Sequence, residues 1–216
     1  MRVAVIIPAR YGAQRFPGKP LADLAGKPLV VHVVERARRA RGVDEVVVAT
    51  DDQRIARAVE AAGARAIVTG PAETGTDRVA QAARALSPRP AIVVNLQGDE
   101  PLIEPEAVER LLAAMRQGGV EMATLARPLQ PGELSRPQVV KVVTDLAGDA
   151  LYFSRAAIPH RRAGGDSPLA RAHGDIYAFT AAVPVRFAPP PPGLATPQCG
   201  WPYGWGWYGW GWYGIC

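Results

Sequence analysis

Four short β-branched runs, Val3–Ile7, Glu45–Thr50, Arg65–Val68 and Ala91–Leu96, alternate with stretches of helical spacing, and this alternation most narrows the folds open to the chain. Each run is bounded by turn residues, the pattern of strands covered on both faces. Pro28 to Ala40 sets Leu29, Val30, Val33, Val34 and Ala37 on one stripe, and Gln53 to Ala62 does the same with Ile55, Ala58, Val59 and Ala62. The expectation is a doubly wound α/β fold. Its sheet is mostly parallel with helices on both sides, and its ligand crevice lies beyond the carboxyl ends of the strands. A further helix is expected from Pro105 to Gln117, followed by strands near Met122–Ala126, Gln138–Thr144 and Ala150–Phe153. The last two read as a hairpin around Ala147-Gly148-Asp149.

With 216 residues, 48% hydrophobic and 21% charged, the chain has the balance of one soluble globular domain. No apolar run approaches the roughly 20 residues that cross a bilayer. The apolar stretch Val3–Ile7 is too short for a signal peptide, so the expected location is the cytoplasm, without membrane association. Cys199 and Cys216 alone build neither a disulfide framework nor a four-ligand zinc site. The net charge of +5 is spread over helical faces such as Glu35–Arg41 and Arg54–Arg65. No compact basic cluster interleaved with aromatics appears, which speaks against nucleic acid and leaves a small anionic ligand as the partner.

Motifs belong after strands in such a fold. The segment Pro8 to Pro20 carries Arg10, Arg15 and Lys19 between glycines that let backbone approach a ligand. Arginine grips phosphate oxygens with a planar fork and lysine acts as a movable point charge, so this loop suits a triphosphate and departing pyrophosphate. It is neither a Walker loop nor the dinucleotide fingerprint, and an ordinary basic turn would look much the same. Asp99, in Gln97-Gly98-Asp99-Glu100-Pro101, is placed to hold a hard cation against phosphate. A helix-entry carboxylate is the alternative. Thr74-Gly75-Thr76-Asp77-Arg78 precedes an Ala-rich helix that Thr76 is expected to cap and whose first turn Asp77 favours. The turn also reads as part of a nucleotide enclosure.

From Ala188 onward the character changes: four prolines precede a Gly/Trp/Tyr segment, Trp201 to Gly214, that holds all five Trp. A fold does not usually reserve its tryptophans for one end, so the reading is a domain over residues 1–185 and an aberrant, frameshifted tail over 186–216. An aromatic stacking tail is the alternative.

Together, Pro8 to Leu21, Ala49-Thr50-Asp51, Thr74 to Arg78, Asn95 to Pro101, Val140-Lys141-Val142 and Ala150 to Ala156 resemble the CMP-Kdo synthetase family, the 3-deoxy-manno-octulosonate cytidylyltransferases, in order over about residues 1–180. The resemblance implies a nucleotide-diphospho-sugar transferase-like α/β fold with a smaller dimerisation portion. It further implies a magnesium-dependent reaction of CTP with Kdo to CMP-Kdo and pyrophosphate, for lipopolysaccharide biosynthesis. Arg10, Arg15 and Lys19 would contact the phosphates, with Arg10, Lys19 and Asp99 as catalytic residues. Thr76, Asp77 and Arg78 would lie by the nucleotide, Asp99 would ligate Mg2+, and Gln97, His173 and Tyr177 would face the sugar acid. A sialic-acid-type cytidylyltransferase and a catalytically dead CTP-binding protein are the alternatives.

Three departures stand out. Ala13 replaces a small hydroxyl residue, a phosphate donor worth on the order of 1 kcal/mol. Gly174 and Asp175 replace an apolar residue and a glycine beside the sugar. The family's later Ser-Pro-Leu-Glu segment, its Glu-rich helix and its Gly-Val-Asp turn with a second magnesium ligand are not found. The expectation is therefore impaired or absent activity, and the family's homodimer is put in question.

Overall fold

The structure, a computed structural model, describes residues 1–12, 16–117, 119–160, 162 and 168–180. Arg15, the departure at Ala13 and the 186–216 tail lie outside them. The chain divides into two compact units, one of Met1–Ala123 with the chain from Tyr177, the other of Thr124–Ile176.

In the first unit, strands β1 (Val3–Ala9), β4 (Glu45–Thr50), β5 (Arg65–Val68) and β6 (Ile92–Leu96) pair in parallel in the order β5-β4-β1-β6. A two-stranded hairpin of β2 (Asp23–Leu24) and β3 (Lys27–Pro28) stands apart from this sheet. Helices α1 (Leu29–Arg38), α2 (Gln53–Ala61), α3 (Gly75–Ala85) and α4 (Pro105–Met115) complete the alternation that the sequence predicts. Ala4 and Ile6 of β1, with Val47, Ala49 and Val93, pack against Val79, Ala82 and Ala83 of α3 and against Phe179. By the two-residue alternation Val3, Val5 and Ile7 face the other way and are as deeply buried, and α1 lies against β1 and β4 with α4 alongside.

Three local expectations are corrected. The buried stripe of α1 takes Val31 where Leu29 was expected, and that of α2 takes Ala56 in place of Ala58 and Ala62, because each helix turns its stripe slightly around the axis. The strand β5 is exposed at Arg65 and Val68, since it is the sheet edge and is not covered on both faces. Among the described residues no helix is long and apolar enough to cross a membrane.

In the second unit, β8 (Lys141–Thr144) and β9 (Ala150–Ser154) form the expected antiparallel hairpin. β10 (Arg171–Thr180) enters beside β8, and β7 (Met122–Pro128) pairs with β10. The expected strand start at Gln138 moves to Lys141 because the chain before it is held in a turn, with the Val139 N–H donating to the Arg136 carbonyl at 3.2 Å; Lys141 itself is fully buried. Its Nζ donates to the carbonyls of Arg136 and Val139, at 3.0 and 2.8 Å, and to that of Arg155. Burial lowers its pKa from the ordinary lysine value, with the Arg155 charge adding to the effect. The carbonyls gather loop and strand onto one cation. His173 is fully shielded too, with Nε2 2.9 Å from Thr124 Oγ1 and its ring edge-on to Phe153 at 5.0 Å. Burial pushes its pKa down to about 4.

Two stability measurements follow. Lys141→Met removes the Nζ hydrogen bonds to the carbonyls of Arg136, Val139 and Arg155 and should cost on the order of 3 kcal/mol, read as a lower urea midpoint. His173 stays neutral in the fold while the unfolded chain takes up a proton below about 6.5, so the unfolded state binds more protons in that window. Stability should therefore be full above pH 6.5 and fall by on the order of 3 kcal/mol as pH drops toward 4. His173→Phe, which cannot protonate, should flatten that slope in urea titrations.

Candidate active site

The strand order places the site. From β1 the chain moves outward to β4 and β5 and then returns to the opposite flank of β1 as β6, so the loops after β1 and β6 diverge from adjacent carboxyl ends. The backbone after β6 passes so close to β1 that a Cβ on Gly98 would sit 2.9 Å from the Pro8 carbonyl oxygen. Only glycine fits there. The next residue is Asp99, and its carboxylate meets the lysine of the first loop: Lys19 Nζ lies 2.6 Å from Asp99 Oδ2, with the side chains 38% and 50% exposed. The pair is open to solvent, so ligand atoms have access to both groups.

Lys19 starts a 3-10 turn, Lys19–Leu21, directly after Gly18, whose φ of 73° is costly for other residues. The Gly18 N–H donates to the Tyr11 carbonyl at 2.8 Å, which closes the loop at its base. Arg10, at the end of β1, is exposed, and Gln97 is half-buried after β6. Arg15 belongs to the same loop but is outside the described residues.

The turn before α3 differs from the expectation. Thr74, not Thr76, is the N-cap: its Oγ1 accepts from the Asp77 N–H at 3.1 Å while the Asp77 carboxylate accepts from the Thr74 N–H at 3.0 Å. This capping box needs its acidic partner three residues after the cap, a spacing that Thr74 and Asp77 have. Thr76 is half-buried in the first turn. Arg78 is 4% exposed, and its guanidinium donates to Asp51 Oδ2 at 2.7 Å and to Thr69 Oγ1 at 2.5 Å. It braces α3 to the loops after β4 and β5, a role that sequence reasoning missed because its partners are distant along the chain.

A similar brace stands after β4. Asp52 caps α2, accepting from the Arg54 N–H at 2.8 Å and from its Nε and Nη2 at 3.0 and 2.6 Å. The hydrogen bonds from Arg54 hold the Asp52 carboxyl down at about 2. The Arg54 guanidinium carbon lies 3.5 Å from the centroid of the Tyr11 ring.

Tyr177, half-buried, packs on the first unit's α3-side core. His173 belongs to the second unit, where Asp175 Oδ1 is 3.8 Å from its Nδ1. For a metal, the described residues contain no cluster of three or more His, Cys, Asp or Glu side chains. Asp99 offers a half-exposed carboxylate, a donor set that fits an ion such as magnesium, which takes one or two carboxylates and completes its shell with phosphate and water.

Comparison with known proteins identifies the family. Residues 4–189 match the family model described as cytidylyltransferase. A 3-deoxy-manno-octulosonate cytidylyltransferase of Anaeromyxobacter sp. (strain Fw109-5) is 78% identical over 192 residues, covering 89% of this chain and 78% of its own. One from Myxococcus xanthus is 47% identical over 188 residues, covering 87% and 76%. Among solved structures, a CMP:2-keto-3-deoxy-manno-octonic acid synthetase complexed with CTP superposes with a TM-score of 0.81 at 44% identity, over 87% of this chain and 77% of that one. A cytidylyltransferase from Leptospira borgpetersenii, 21% identical with a TM-score of 0.55 over 87% of this chain and 63% of that one, shares the fold. The chain belongs to the cytidylyltransferase family, in the group of the 3-deoxy-manno-octulosonate cytidylyltransferases.

Proposed function

We infer that this chain transfers CMP from CTP to the sugar acid Kdo, giving CMP-Kdo and pyrophosphate. The observation that carries the reading is the contact of Lys19 with Asp99 between the loops after β1 and β6, in a chain of this family. Arg10 and Lys19 bind the phosphates, joined by Arg15 of the same loop. Thr76 lies by the nucleotide on a turn that Asp77 and Arg78 hold in shape. Gln97, Tyr177 and His173 keep the sugar-acid assignment on the strength of the resemblance, and a homodimer is the assembly expected on the same ground.

In the reaction the anomeric hydroxyl oxygen of Kdo attacks the α-phosphorus in line. A new P–O bond forms, the bond to the bridging oxygen of pyrophosphate breaks, and the hydroxyl proton is released. No covalent enzyme intermediate is required. Positioning and neutralisation of growing negative charge supply most of the acceleration, which is the work of cations fixed on strand ends. Asp99 is the residue that would hold Mg2+, which supplies charge neutralisation on the phosphate oxygens.

Calorimetric titration of CTP with and without magnesium tests the site. Lys19→Ala should weaken binding at least about tenfold, or about 1.4 kcal/mol. Asp99→Asn should abolish the gain from magnesium and leave metal-free binding nearly intact. Equal affinities across the three proteins would reject the assignment. The sugar is tested by pyrophosphate release from CTP over a panel of sugar acids, with release on Kdo expected at least about tenfold faster than on a sialic acid; the reverse order would transfer the chain to the other substrate class.

A further inference from the structure

We propose that Arg54 and Tyr11 form a positioning pair that fixes the base of the first loop and thereby sets the approach of Lys19 to the nucleotide, an inference that rests on the CTP reading. The contacts run in one series. Thr50 Oγ1 at the end of β4 accepts from the Asp52 N–H at 3.2 Å, and Asp52 grips both the backbone and the guanidinium of Arg54. Arg54 stacks on the Tyr11 ring at 3.5 Å. That ring in turn lies over Gly18, where an added Cβ would come within 3.1 Å of Cε2, 3.2 Å of Cζ and 3.3 Å of the hydroxyl oxygen, and the Tyr11 carbonyl takes the Gly18 N–H. Lys19 follows Gly18 and reaches Asp99.

The chemistry of the pair explains its residue types. The charge of Arg54 is already matched by Asp52, so its contribution here is a flat guanidinium held face-on to an aromatic ring. A lysine at 54 would keep the charge but lose both the fork to Asp52 and the planar stack. Lys19 has a long, flexible stem, and anchoring the backbone from which it springs limits the volume that its ammonium explores. Arg54 and Tyr11 thus act through Lys19 and are not themselves catalytic residues.

The experiment combines CTP calorimetry with hydrogen exchange at the Gly18 amide, which reads the loop base without ligand. Arg54→Ala, Arg54→Lys and Tyr11→Leu should each weaken CTP binding about fivefold and speed Gly18 exchange, while Tyr11→Phe, which keeps the ring, should restore most of both. The double substitution Tyr11→Leu with Arg54→Ala should be no worse than either single change, because both break one series of contacts. Unchanged Gly18 exchange in Arg54→Ala, or losses that add in the double variant, would overturn the pair and make Arg54 at most a separate ligand. Loss of binding in Lys19→Ala with none in Arg54→Ala would overturn this inference and leave the CTP reading standing. Failure of the unsubstituted chain to bind CTP would overturn both.

Discussion

The first unit depends on the close passage of two strand ends. At Gly98 the backbone leaving β6 runs under the Pro8 carbonyl with no room for a side chain. That approach is possible because β6 returns beside β1 after the chain has built β4 and β5 on the other flank. The reversal opens a gap beyond the sheet, and the glycine narrows it until a carboxylate from one loop touches an ammonium from the other. Everything that the site does with charge follows from this geometry. Had β6 continued outward beyond β5, Asp99 would stand several strands away from Lys19.

Several arginines are braces. Arg78 joins Asp51 and Thr69, Arg54 joins Asp52, and in the second unit Arg127 forks onto the buried Glu133 at 2.7 and 2.8 Å. The hydrogen bonds from Arg127 hold the Glu133 carboxyl down at about 2. The charges of these three arginines are thereby matched within the molecule. The exposed Arg10 and the Lys19–Asp99 pair are among the charges that face solvent at the strand ends.

The sequence discloses the architecture through periodicity, because a strand buried on both faces and a helix with one apolar stripe leave different spacings. Glu45–Thr50 and Arg65–Val68 match the observed strands residue for residue, and the hairpin turn at Gly148 falls where the glycine marks it. Periodicity does not disclose what depends on tertiary neighbours. Thr74 and Thr76 both satisfy the composition of a helix cap, and only the reciprocal bond with Asp77 separates them. The edge position of β5 is a property of strand order, which no single run of residues contains. The Lys19–Asp99 contact was legible because two motifs each pointed to a phosphate. The contact of Arg54 with Tyr11 was not, since Arg54 belongs to no motif and the two lie 43 positions apart in sequence.

The first unit is discontinuous along the chain: Met1–Ala123 is completed by residues from Tyr177, and Phe179 is buried in the cluster formed by β1, β4, β6 and α3. Synthesis proceeds from the amino end, so a ribosome has already delivered all of Thr124–Ile176 before the aromatic ring that fills this cluster is made. Until then the cluster lacks Phe179. Completion of this core cluster therefore waits on β10.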